Sequence, residues 1–280
     1  MRACAGILLV QIASLPLTLC GCGSPARDAF DQAERLRRAG DHERALYLYS
    51  EAIEYEKQWA AAYAGRGSTR LELGEYAEAV EDFDRAIAHG PDNPELFVQR
   101  GDAHLRMANY DQAERDYARA IDLAPESIAA LLGRARCRRR QGRLAEAAED
   151  FSRALQGEPA DNQRQQALLG RGRNWYVMAR YEEAVRDFTA VLNKDDSHAN
   201  AHWHRALAYD ALARGLRDND PTGADEMEKR AQADRAKAVE LDPSLDLSND
   251  MLQGLVNELG RVSESEGDDA PVTLGTELRE

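Results

Sequence analysis

The chain repeats itself with a period of 34 residues, and this limits the folds open to it more than any other feature. Residues 60–93 carry Tyr63, Gly67, Gly74, Tyr76, Ala79, Phe83, Ala86 and Pro91. Residues 94–127 follow without a gap and carry Phe97, Gly101, Tyr110, Ala113, Tyr117, Ala120 and Pro125 at the same offsets. Residues 128–161 continue with Leu131, Ala135, Gly142, Leu144, Ala147, Phe151, Ala154 and Pro159. A unit this short cannot bury its own apolar face, so its copies must stack on one another.

These positions resemble the tetratricopeptide repeat, with an aromatic or apolar residue at 4, small residues at 8, 20 and 27, an aromatic at 24 and proline at 32. Small residues let two antiparallel helices approach closely, and the large ones fill the space between them. Proline ends the second helix. Three weaker copies flank the clear ones: 26–59 without the proline, 165–198 after an insertion at 162–164, and a sixth unit from 199 whose Pro243 comes 13 residues late. The stretch LRDNDPTGAD is expected to lengthen the turn inside that last unit. The resemblance implies an all-α, right-handed solenoid of about six helix hairpins over 26–245. A capping helix over 246–260 is expected from Met251, Leu252, Leu255, Val256 and Leu259 at helical spacing. Residues 261–280 hold six acids and two bases and read as an acidic disordered tail.

The amino terminus reads as a targeting segment. Arg2 is the only charge before Arg27, and Ala3 to Leu19 is mostly apolar but broken by Gln11 and Pro16. Leu19-Cys20-Gly21-Cys22 resembles a bacterial lipobox, with Cys20 in place of the usual small or hydroxyl residue. The resemblance implies a signal peptide over 1–21, lipidation of Cys22, a short tether over 22–25 and export to a membrane surface. Cleavage after Gly23 without lipidation is the plainer alternative. The remaining cysteine, Cys137, leaves the body without a disulfide framework and reads as a small core residue.

Position 7 of the repeat is Arg66, Arg100, Arg134, Arg171 and Arg205, while position 23 is Asp82, Asp116, Asp150, Asp187 and Asp234. In the first repeat both are replaced together, by Gln32 and Leu48. If the hairpin turns near position 15, the two positions lie level on antiparallel helices, and a partly buried ion pair is expected within each hairpin. The insertion makes Arg205–Asp234 the pair least fixed by the spacing.

RARCRRR, residues 134–140, stands out in a chain of formal net charge −14. Arg134 belongs to the pairing just described, and Arg138 is expected to lay its stem along the hairpin with its head in solvent. The family resemblance places positions 2, 5, 9, 12 and 13 on the concave groove. There it gathers Arg106, Arg136, Arg139, Arg140 and Arg173, with Tyr176 and Trp203 as apolar anchors. This implies a groove for an acidic peptide or exposed carboxylate. A solvated charged face and self-masking by the acidic tail are the competing readings. Position 5 holds Phe30, Ala64, Val98, Leu132, Leu169 and Trp203 and no lysine, so the carboxylate clamp of chaperone-binding relatives is not expected.

The acidic balance disfavours nucleic acid as a partner. His198, His202 and His204 are the one cluster with metal-ligand chemistry, but His202 and His204 point about 200° apart on one helix and should not converge. No metalloprotease, phosphate-loop or nucleophile-elbow motif occurs. No cofactor and no enzymatic activity are expected; protein or peptide partners are.

Overall fold

A computed structural model describes residues 24–245. The expected signal peptide, Cys22, the capping helix and the acidic tail lie outside the described residues. Among the described residues twelve α-helices form six antiparallel hairpins: α1 (Pro25–Arg38) with α2 (His42–Tyr55), α3 (Ala60–Leu73) with α4 (Tyr76–His89), and α5 (Pro94–Arg106) with α6 (Tyr110–Leu123). They continue with α7 (Ile128–Arg140) and α8 (Leu144–Gln156), α9 (Asp161–Val177) and α10 (Tyr181–Leu192), and α11 (Ala199–Leu216) and α12 (Pro221–Leu241). A single 3-10 turn, Pro243–Leu245, follows. The helix begins inside the expected tether, because Ser24 caps α1 and Pro25 is its first residue. None of the described helices is long and apolar enough to cross a membrane.

Small residues set the helix spacing. Ala45, Ala79, Ala113, Ala147 and Ala184 at position 20 are fully buried, as are Ala52, Ala86, Ala120 and Ala154 at position 27. Tyr49, Phe83, Tyr117, Phe151 and Phe188 at position 24 fill the space between hairpins. Three of these rings meet a second small residue that the repeat alignment leaves unremarked, at position 6 of the next hairpin, while Gln99 holds that position after Phe83. A Cβ on Gly65 would lie 2.5 Å from Tyr49, one on Gly133 2.3 Å from Tyr117, and one on Gly170 2.4 Å from Phe151. At the last interface His204 takes this position and stacks on Phe188, with ring centroids 5.6 Å apart.

Both insertions are absorbed as helix. The residues added before the fifth repeat extend α9 to 17 residues by one turn at its start. The thirteen in the sixth lengthen α11 to 18 residues and α12 to 21, leaving only 217–220 between them, rather than the long turn expected. Pro221 is tolerated because it opens α12, where its missing N–H has no intrahelical partner to lose. Asp220 caps that helix, its carboxylate accepting from Gly223 N at 2.9 Å.

Candidate peptide-binding face

The first helices of consecutive hairpins pack on one another: α1 on α3, α3 on α5, α5 on α7, α7 on α9 and α9 on α11. The second helices pack against the first helices before and after them and make no comparable contact with each other. The first helices therefore form the inner face.

The ion pairs orient these helices. Arg66 donates from Nε to Asp82 Oδ2 at 2.9 Å and from NH2 to Oδ1 at 2.7 Å. Arg100–Asp116 (2.9 and 2.5 Å), Arg134–Asp150 (2.9 and 2.8 Å) and Arg171–Asp187 (2.8 and 2.7 Å) repeat the bidentate geometry. Arg205–Asp234 forms at 2.7 Å for both bonds, because lengthening both helices keeps the residues level. All five aspartates are buried. Arg138 differs from expectation: its head is not in solvent but donates to Asp150 Oδ2 at 2.7 Å and to Glu114 Oε1 at 3.0 Å. Buried carboxylate oxygens recruit it, and Arg70 does the same for Asp82 at 2.8 Å.

Position 9 and position 24 vary together. Tyr49 donates to Glu34 at 2.5 Å and Tyr117 to Asp102 at 2.6 Å, so each tyrosine has an acid at position 9 of its own repeat. The phenylalanine repeats carry Ser68, Arg136 and Arg173 there instead. The inner face consequently turns from acidic to basic along its length. Arg136 bridges the change, donating to Asp102 at 3.3 Å.

Arg136, Arg139, Arg140 and Arg173 come together on α7 and α9. Burial, followed by the charges of Arg173, Arg140 and Arg136, pulls the Arg139 guanidinium well below its usual pKa, although it stays protonated at neutral pH. Arg173 donates from Nε to His204 Nε2 at 3.1 Å, which fixes the imidazole as the neutral Nδ1–H tautomer. Arg106 sits exposed at the end of α5, one hairpin away. Tyr176 is half-buried beside Tyr181, their centroids 5.6 Å apart. Trp203 is not an exposed anchor: it is 4% exposed and packs with Leu207, Ala238 and Leu245. Its cover arrives when the chain turns back after α12, which the local sequence around Trp203 could not reveal.

Arg136 and Arg173 also line a narrow cleft between α7 and α9, about 410 Å³ including its open mouth. Leu132, Phe151, Leu169 and Gly170 form its walls and Gln166 stands at its edge. Sequence reasoning passed over this cleft. The recurrence of glycine at 65, 133 and 170 was the available signal, since it exposes the ring of the preceding repeat.

The three histidines serve separate ends. His198 caps α11, accepting from Ala201 N at 3.1 Å. His202 bonds Asp234 at 2.8 Å and the carbonyl of Asp196 at 3.0 Å. His204 stacks on Phe188. Among the described residues no group of three or more metal-ligating side chains is placed to hold an ion. The Cys137 thiol is buried, which pushes its pKa up to about 12.

These hairpins define an α-solenoid of helical repeats. A tetratricopeptide-repeat family model matches residues 30–94 and 98–163. The chain is a tetratricopeptide-repeat protein, and its fold extends the same hairpin through the two units that the model does not match. Its structure is similar to that of PilW, described as a widely conserved type IV pilus biogenesis factor, at 18% identity and a TM-score of 0.65, covering 84% of this chain and 100% of that one. A tetratricopeptide repeat protein from Parabacteroides merdae is similar at 18% identity and a TM-score of 0.59, covering 86% and 99%. The C-terminal part of a repeat protein from Cytophaga hutchinsonii matches at 15% identity and a TM-score of 0.60, covering 81% and 99%. At these identities the likeness is one of fold. No curated protein sequence matches the chain.

Proposed function

We propose that the protein is a lipid-anchored, non-enzymatic scaffold of the bacterial cell envelope that holds protein or peptide partners on its basic inner face. Tetratricopeptide repeats generally mediate protein–protein contact. The observation that carries the reading for this chain is the clustering of Arg136, Arg139, Arg140 and Arg173 on two adjacent helices, with Arg136 and Arg173 lining one apolar cleft. Arginine beside buried apolar surface is the composition that interfaces favour. The anchor rests on Leu19-Cys20-Gly21-Cys22 and the apolar run before it, and more than one acyl chain gives stable membrane attachment. The similarity to PilW favours a role in assembling an envelope complex, in the manner of a pilotin or assembly factor. The acidic residues 261–280 are a competitor for the same face.

The experiment is an affinity capture from envelope extract at low and high salt. The baits are the protein, an Arg136→Glu/Arg140→Glu/Arg173→Glu variant, and each of these with its 261–280 acids neutralised. Partners lost from the arginine variant and strengthened by neutralising the tail are the expected result. An unchanged partner list removes the inner face from the proposal. Fatty-acid labelling that persists in Cys22→Ala rules out Cys22 as the anchored residue.

A further inference from the structure

We infer that the cleft between α7 and α9 receives a single apolar side chain of a partner peptide whose neighbouring carboxylates are held by Arg136 and Arg173. This deepens the reading of the inner face as a partner surface and rests on it.

The argument comes from comparing the hairpin interfaces of one chain. Each buries a position-24 ring, and what lies beside the ring differs. Tyr49 and Tyr117 face Gly65 and Gly133, but their hydroxyls are bonded to Glu34 and Asp102, so those rings carry a polar, acidic edge. The hairpin after Phe83 carries Gln99 rather than glycine at position 6, its side chain accepting from Ser68 at 3.0 Å, and no cation stands at position 9. Phe188 is covered by the His204 ring stacked on it. Phe151 alone among the described rings combines three features: no hydroxyl, a bare glycine opposite, and arginine at position 9 on both adjoining helices. The absence of a side chain at Gly170 is enforced, since a Cβ there would lie 2.4 Å from Phe151 Cζ, and it leaves the ring as a wall of the cleft.

Leu132 and Leu169 complete an apolar pit, 4% and 9% exposed, beneath a rim of guanidinium groups. A purely anionic ligand leaves the pit wet, and a purely apolar one makes no use of the positive charge at its rim. A segment with one aliphatic side chain between carboxylates complements both the pit and the charge. The hydrogen bond from Arg173 to His204 limits the rotamers of one rim residue before any ligand arrives, lowering the entropy cost of binding.

The test is fluorescence polarisation with the full-length protein and a labelled, C-terminally amidated peptide whose single leucine is flanked by glutamates. Companion peptides replace the leucine by serine, or the glutamates by glutamine. The leucine peptide should bind, and the serine peptide should bind about tenfold more weakly, as expected for losing one buried aliphatic side chain. Arg136→Gln should weaken the leucine peptide about tenfold, the loss expected for one charge-assisted contact. Gln166→Trp, which fills the mouth from an exposed position, should weaken the leucine peptide and spare the serine one. Equal binding of leucine and serine peptides overturns the cleft while leaving a basic partner face intact. Binding by neither, in the protein and in a full-length variant whose six tail acids are neutralised, overturns the partner face itself. Leucine-dependent binding that appears only in that variant supports the cleft and makes the tail its competitor.

Discussion

Tyr117 and Gly133 belong to different repeats, yet the ring of the first occupies the space where the second would carry a side chain, 2.3 Å from its Cβ position. The same ring lies 3.0 Å from the Cβ position of Gly101 in its own hairpin. Two glycines on neighbouring helices thus clasp one aromatic, and hairpin-to-hairpin spacing follows from it. Gly133→Ala should therefore destabilise by about 2–3 kcal/mol, because overpacking outweighs the ~1 kcal/mol that alanine gains in a helix. In a Tyr117→Leu background the cost should fall below about 1 kcal/mol, since the colliding ring is gone. Gly215→Ala, with nothing within 4 Å, is the control and should stabilise slightly. Urea unfolding of the variants decides it.

Position 15, where each regular hairpin turns, requires a left-handed backbone. Gly40, Gly74 and Gly142 supply it with φ of 80°, 81° and 77°, but Ala108 and Ala179 hold φ of 57° and 58°. A Cβ in this region costs about 1–2 kcal/mol, partly offset by the lower unfolded-state entropy of alanine. Ala108→Gly and Ala179→Gly should each stabilise by about 0.5–1 kcal/mol, and Gly142→Ala should cost about as much. Melting temperatures of the three variants should order accordingly; a destabilising Ala108→Gly would refute the strain.

Much of this architecture was legible because the chain is its own alignment. Arg66, Arg100, Arg134 and Arg171 recur in step with Asp82, Asp116, Asp150 and Asp187, and equal distance from the turn was enough to place them level. What was not legible depends on non-periodic partners. Arg138 is drawn inward by Glu114 of the preceding hairpin, a residue with no counterpart in the pattern. Trp203 is covered by Leu245, far along the chain. The thirteen extra residues of the sixth unit include proline and glycine, which suggest a loop, but Asp220 and Pro221 serve equally well as a helix start. The cleft escaped notice because its walls come from three helices of two repeats.

The ion pairs are not equal, and the difference is measurable. Asp150 accepts from both Arg134 and Arg138, whereas Asp187 accepts from Arg171 alone among the described bonds. Removing the carboxylate takes a partner from two guanidinium groups in the first case and from one in the second. Asp150→Ala should cost about 3–5 kcal/mol and Asp187→Ala detectably less. Arg134→Leu/Asp150→Leu should cost less than Asp150→Ala alone, because Arg138 retains Glu114 and no buried charge is orphaned. Chemical denaturation of the three variants tests the order, and a double variant worse than the single one would contradict it.

His204 makes stability depend on pH. The ring is 6% exposed, and burial, then the charges of Arg173, Arg139 and His198, holds its pKa well below the ordinary histidine value. In the folded protein it stays neutral and accepts from Arg173, while in the unfolded chain it takes up a proton below about pH 6.5. The unfolded state then binds more protons, so stability rises with pH. The contribution is complete above about pH 6.5 and is lost as pH falls below it, by up to about 1.4 kcal/mol per unit until the folded-state pKa is reached. His104 and His198 are also lowered by burial and act in the same direction, so the whole-protein slope does not isolate one ring. His204→Gln does isolate it, because the amide oxygen can still accept from Arg173 and does not titrate. Unfolding free energies measured from pH 7 to 5 should fall more steeply in the parent than in the variant, by about one proton equivalent, and parallel slopes would mean that His204 takes up its proton in the folded state.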